Sequence, residues 1–114
     1  MKTEFGEYLL IETKSCLEDF SVQSFLTTAA GLASKDKRVT LFLIQDAVIM
    51  ALKGQALALD NTLSSSSIRI FVDEFSFRTR SMNAQELLDG AEIVEMSRVV
   101  QLMVSDNCKT IWHS

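Results

Sequence analysis

The most reactive side chains in this sequence are two thiols, Cys16 and Cys108. Cys16 stands in Ser15-Cys16-Leu17-Glu18, whose capping-box spacing would set the sulfur in the first turn of a helix. Helix amino termini favour thiolates, and the neighbouring Lys14 adds to that effect. Glu18 and Asp19 act against it, because nearby negative charge raises a thiol pKa. Leu17 and Phe20 also fall out of phase with the later apolar stripe, which allows a helix start at Asp19 or Ser21 instead. An accessible thiolate here would be a nucleophile; a shielded thiol would simply pack as a small hydrophobe. Cys108 opens a run with Ile111 and Trp112 and reads as a packed, inert cysteine.

Two acidic stretches are the other candidates. In "VTLFLIQDAVIMALKG" (39–54), Gln45 and Asp46 interrupt an apolar run with no proline or glycine between them. Asp46 reads as the cap of a helix over Ala47 to Lys53, with Gly54 just past its end. Asp73 and Glu74 come after another apolar run, as acidic residues do in phospho-receiver domains, but "IETKS" and "KTIW" supply only partial counterparts of the other receiver groups. Arg78 and Arg80 in "SFRTRS" offer charge for an anionic ligand or a partner's carboxylate, or else form a solvated turn. His113 has no base or orienting acid that the sequence can assign, so it reads as a mobile or interface residue and leaves hydrolysis unsupported. No cysteine–histidine grouping has metal-ligand spacing, and no glycine-rich loop is present to wrap a nucleotide or flavin. No metal and no cofactor is expected.

These residues need elements to hold them. Gly6 to Ile11, Val39 to Ile44, Ile68 to Val72, Ile93-Val94 and Cys108 to Trp112 read as five short strands. Val22, Phe25, Leu26, Ala29, Ala30 and Ala33 share one helical face. Asn83-Ala84-Gln85-Glu86 has capping-box spacing for a short helix ended by Gly90, and Ser97 can cap another bearing Val99, Val100 and Met103. "LDNTLSSSS" (59–67) is a polar loop. Strand–helix alternation with short links implies right-handed βαβ units, hence a three-layer α/β/α, flavodoxin-like domain with a mostly parallel five-stranded sheet. Gln45 and Asp46 then lie at the carboxyl end of a strand, where open α/β sheets bind ligands.

Composition narrows the class. The 114 residues are enough for one domain, 1–114, that buries roughly 65% of its unfolded surface. A formal net charge of −4 and scattered Lys and Arg oppose direct nucleic-acid binding. The apolar runs fall short of the ~20 residues that span a membrane, and Glu4 and Glu7 near the start oppose a secretory signal. The expected location is cytoplasmic, where a disulfide between the two thiols is not expected.

Four segments in order resemble the DsrE/DsrF/DsrH family of sulfur-relay proteins, closest to the DsrH/TusB branch. They are "ETKS" (12–15), "LFLIQDAVIMALKG" (41–54), "IFVDEFSFRTRSM" (70–82) and "VVQLMVSDNCKTIW" (99–112). The resemblance implies a flavodoxin-like fold, a cytoplasmic oligomer and persulfide transfer, as in tRNA 2-thiouridylation or dissimilatory sulfur oxidation. DsrE/TusD-type subunits carry their thiol near the end of the third strand, where this chain has Val72-Asp73-Glu74-Phe75; some DsrH-type members carry one well inside the first helix, where "VQSFLTTAAG" has none. Ala47 and Ser81 stand where glycines are usual in the family. The expectation is therefore a relay subunit without its own essential cysteine, or a carrier through Cys16. Gln45, Asp46, Asp73, Glu74 and Arg80 would line a crevice facing DsrE/DsrF- or TusC/TusD-like partners. The alternative is a stand-alone homo-oligomeric binding module with no sulfur chemistry. Met50, Met82, Met96, Met103, Phe71, Phe75 and Phe77 read mostly as core, with some left over for a subunit interface.

Overall fold

Val39, Leu41 and Leu43 face one side of the second strand, Thr40 and Phe42 the other, and all five are buried. Only a strand covered on both faces needs that pattern, and a parallel sheet between helical layers provides the cover. The computed structural model describes residues 6–15, 19–55 and 67–113. Cys16 and residues 59–66 of the serine loop lie outside the described residues.

The strands are β1 (Glu7–Glu12), β2 (Arg38–Leu43), β3 (Ile68–Asp73), β4 (Ala91–Val94) and β5 (Cys108–Trp112). They form one sheet in the order β4-β3-β2-β1-β5, and every pairing is parallel. This is the three-layer α/β/α architecture with a parallel five-stranded sheet that the sequence implies, but its strand order differs from that of flavodoxin.

The helices are α1 (Ser21–Ala33), α2 (Glu74–Thr79) and α3 (Met96–Met103). α1 buries Val22, Phe25, Leu26, Ala29 and Ala30, the face that the spacing predicts. It starts at Ser21, one of the later starts that the spacing allows; the capping box after Ser15 falls on residues 16–18, outside the described residues. Asp19 closes its entry, its Oδ1 accepting from the Ser21 amide at 2.9 Å and the Ser21 hydroxyl at 2.6 Å. Those two bonds hold the Asp19 carboxyl down to a pKa of about 2.

Three expectations about helix starts need correction. Gln45–Ala51 is a 3-10 helix, not an α-helix over Ala47 to Lys53, and Ile44 is its cap residue. At three residues per turn Ala47 stacks on Met50 and Val48 on Ala51, and all four are buried. Asp46 lies inside the first turn and caps nothing; its carboxylate reaches Arg80. Asn83 does cap as predicted, accepting from the Gln85 amide at 2.9 Å, but the helix is the single 3-10 turn Ala84–Glu86. Gly90 instead supplies the left-handed backbone (φ +88°) that turns the chain into β4. α3 begins at Met96, with Glu95 at the cap position and no side-chain cap bond, so Ser97 is already inside it. α2 itself escapes sequence reading, because in so short a helix Phe75 and Phe77 look like strand alternation.

The two faces of the sheet carry separate cores. Leu10, Val39, Leu41, Leu43 and Val72 pack with α1, the first 3-10 helix and Phe77 of α2. Leu9, Ile11, Phe42, Phe71, Val94 and Cys108 pack with Val99, Leu102 and Met103 of α3. The chain steps β1, β2, β3, β4 across one face, then returns to β5 over the other, as right-handed crossovers require. Among the described residues no helix is long and apolar enough to cross a membrane.

Candidate functional site

That reversal of direction determines where a crevice opens. After β3 the chain turns toward the α1 side, and after β4 it turns to the opposite side with α3. Adjacent strands whose connections diverge leave a gap at their carboxyl ends, the usual ligand position in such sheets. A cleft of about 550 Å³ lies there, lined by Ile44, Gln45, Asp46, Asp73, Phe75, Ser76, Arg80 and Met96. Gln45, Asp46, Asp73 and Arg80 are thus brought together as expected. Glu74 is adjacent but turns away to pair with Arg78 at 3.0 Å, one helical turn on.

A short relay of hydrogen bonds fixes the cleft floor. Asp73 is buried at 4% exposure, and its Oδ2 accepts from the Ser76 amide (3.0 Å) and hydroxyl (2.7 Å), capping α2. The same Ser76 hydroxyl accepts from the Gln45 amide at 2.8 Å, tying the β2 and β3 ends together. Arg80 donates to Asp46 at 2.9 Å and to the Ser76 carbonyl at 3.3 Å, so it is a bridging residue and not a solvated turn. Ser81, beside it, adopts φ +52°, a left-handed backbone that glycine would take without strain.

Gln45 is held at φ +57°, a left-handed conformation that costs a non-glycine residue roughly 1–2 kcal/mol. Strain of this kind is kept where a particular geometry is needed. Gln45→Gly is expected to raise stability by roughly 0.5–1 kcal/mol once glycine's larger entropy loss is set against the relief. Urea titration checks this, and a lower midpoint would mean that the Gln45 side chain has a stabilising contact of its own.

A second cluster forms where β1, β5 and α1 meet. Glu12 is fully buried, and its Oε2 accepts from the Thr13 and Lys14 amides at 3.0 and 3.1 Å. His113 Nδ1 donates to Oε2 at 2.9 Å; Oε1 is also 2.8 Å away but has no aligned donor. The imidazole stacks on Phe25 at 5.0 Å, and its Nε2 lies 2.9 Å from Ser21 Oγ. His113 therefore has an orienting acid after all, and is anchored, not mobile. The set does not make a hydrolytic triad, because the Ser21 proton goes to Asp19 at 2.6 Å and not to the imidazole. Among the described residues no group of three or more His, Cys, Asp or Glu side chains is placed to hold a metal.

Cys108 lies at the amino end of β5, 7% exposed and in the α3-side core. Burial pushes its thiol pKa up, Glu7 adds to that, and Arg69 partly opposes it. Iodoacetamide is expected to modify it at least about tenfold more slowly in the native chain than in urea at the same pH. Peptide mass spectrometry reads the two rates, and equal rates would show the site to be open.

With this geometry in place, comparison with known proteins is informative. The family model described as DsrH like protein matches residues 14–108. Among solved structures, the ychN protein from E. coli superposes with a TM-score of 0.81 at 19% identity, covering 94% of this chain and 98% of its own. A protein of unknown function, MTH1491 from Methanobacterium thermoautotrophicum, gives 0.76 at 15% identity with the same coverages. At such identities these likenesses establish the fold. No curated protein matches significantly.

Proposed function

The chain belongs to the DsrH like protein family, and from that premise we propose that it is a subunit of a sulfur-relay assembly that shapes the complex without carrying the sulfur itself. Persulfide transfer needs a thiolate that attacks the donor's outer sulfur. The old sulfur–sulfur bond breaks, the donor leaves as a thiolate, and a new persulfide forms with no net oxidation. The observation that carries the reading is the β3–β4 cleft. It occupies the end of the third strand, where DsrE/TusD-type relatives hold their thiol, and this chain has Asp73-Glu74-Phe75 there. A site with family position but no nucleophile suits a subunit that receives or orients a partner. DsrE/DsrF- or TusC/TusD-like chains are the partners proposed, in the cytoplasm, serving tRNA thiolation or sulfur oxidation.

The test is incubation with a cysteine desulfurase, cysteine and cysteine-bearing homologous subunits, read by intact-mass spectrometry. The expected result is a single-sulfur adduct on the partner, none on this chain, and unchanged transfer with Cys16→Ser. An adduct on Cys16 whose loss stops transfer would make the chain a carrier instead. A stand-alone homo-oligomeric module is the second reading. It draws support from exposed Met96, Val100 and Val104, which form a strip along α3. Light scattering showing a stable homo-oligomer that ignores those partners would favour it.

A further inference from the structure

We infer that the β3–β4 cleft is an anchor pocket for a basic side chain, lysine or arginine, presented by a partner protein. The inference rests on the reading that this crevice faces a partner, and it adds the chemistry by which the partner is recognised. Two carboxylates, Asp46 and Asp73, line the cleft against one guanidinium, Arg80. Arg80 is already engaged by Asp46, the Ser76 carbonyl and the Thr79 hydroxyl. An anionic ligand would therefore meet uncompensated negative charge, whereas a cation would complete the set.

Asp73 makes the point sharper. It is buried at 4% exposure, and both hydrogen bonds to its carboxylate fall on Oδ2. Oδ1 accepts no bond from the protein and is not sealed from solvent, so it is the oxygen left for a ligand. A buried carboxylate with a spare acceptor gains most from a charged donor. The remaining walls, Ile44, Phe75 and Met96, are apolar, which suits the methylene stem of a long basic side chain.

The rim says that the cation comes on a macromolecule. Phe75 is 62% exposed and Met96 41%, and Val100 and Val104 continue the strip down α3 at helical spacing. An apolar strip running on from a charged pocket is the surface of a protein interface, with an anchor at its end. A net charge of −4 on the chain would also steer a basic partner toward it.

The experiment uses the full chain and a library of terminally blocked nine-residue peptides. Their central residue is lysine, arginine, norleucine or glutamate, their other positions are randomised, and binding is read by fluorescence polarisation. Lysine or arginine peptides are expected to bind at least about tenfold more tightly than the norleucine ones, which keep the stem and lose the charge. Asp46→Asn and Asp73→Asn should each erase most of that difference. Val100→Ser should weaken lysine and norleucine peptides alike. Asp46 is exposed, so its variant still decides the matter if Asp73→Asn does not fold. Equal affinity for lysine and norleucine, indifference to Asp46→Asn, or no binding by any peptide would overturn the inference. So would self-association that Val100→Ser abolishes and Asp46→Asn leaves intact, because a second copy held by the apolar strip would then be the occupant. Failed peptide binding with intact sulfur transfer in the assembly would remove only the anchor. Intact peptide binding with no effect of the chain on sulfur transfer would remove only the relay role.

Discussion

Replacing Asp73 by alanine is expected to lower the stability of the domain by about 2–4 kcal/mol. Two losses add. The α2 cap disappears, since Oδ2 is the acceptor for the Ser76 amide at 3.0 Å, and a lost cap costs about 1 kcal/mol. The buried Ser76 hydroxyl, which donates to the same oxygen at 2.7 Å, is left without an acceptor, a further 1–3 kcal/mol or so. That hydroxyl also holds the Gln45 amide at 2.8 Å, so the disturbance passes from the β3 end to the β2 end and opens the cleft floor. Asp73→Asn keeps one acceptor oxygen and should lose less than half as much. Urea unfolding measures both, with the slope unchanged if the native state remains compact. A fall in stability below about 0.5 kcal/mol for the alanine variant would mean that the relay does not support the cleft.

The rim was readable from the residues alone because it obeys one rule. A run such as Val39 to Leu43, apolar on every residue but Thr40, marks a parallel strand, and parallel strands gather their carboxyl-terminal neighbours along one edge. Gln45, Asp46 and Asp73 fall into place on that argument, whereas Arg80, at the far end of α2, is expected there only from the family resemblance, and Glu74, expected beside them, pairs with Arg78 instead. The failures were local. Asp46 and Ser97 have cap-forming side chains at plausible spacing, but the cap position lies two residues earlier in each case, at Ile44 and Glu95. A helix as short as α2 offers too few turns for its period to stand out from strand alternation. The bond between Glu12 and His113 was beyond reach for a different reason. It depends on β5 lying beside β1, and strand order is set by which face each crossover takes, which no local pattern records.

His113→Ala is expected to cost about 2–4 kcal/mol, even though the residue stands near the end of the sequence where truncation is usually tolerated. The imidazole gives the fully buried Glu12 a charge-assisted hydrogen bond at 2.9 Å, worth about 1.5–3 kcal/mol. Its stacking on Phe25 at 5.0 Å adds about 0.5–1 kcal/mol, so the side chain ties β5 to α1 as well as to β1. The Thr13 and Lys14 amides would still hold Oε2, which is why the loss should stop short of unfolding the domain. A double-mutant cycle with Glu12→Gln separates the pair from the packing. If the bond is the main loss, the double variant should be at least about 1 kcal/mol more stable than the sum of the single changes implies. Strict additivity would instead assign the effect to the Phe25 contact and the packing around it. In either case the cost falls on the junction of β1, β5 and α1, across the sheet from the β3–β4 cleft. His113→Ala should therefore leave peptide binding at the cleft within about twofold of the parent while lowering the urea midpoint, a combination that Asp73→Ala, which removes a wall of the cleft itself, cannot give.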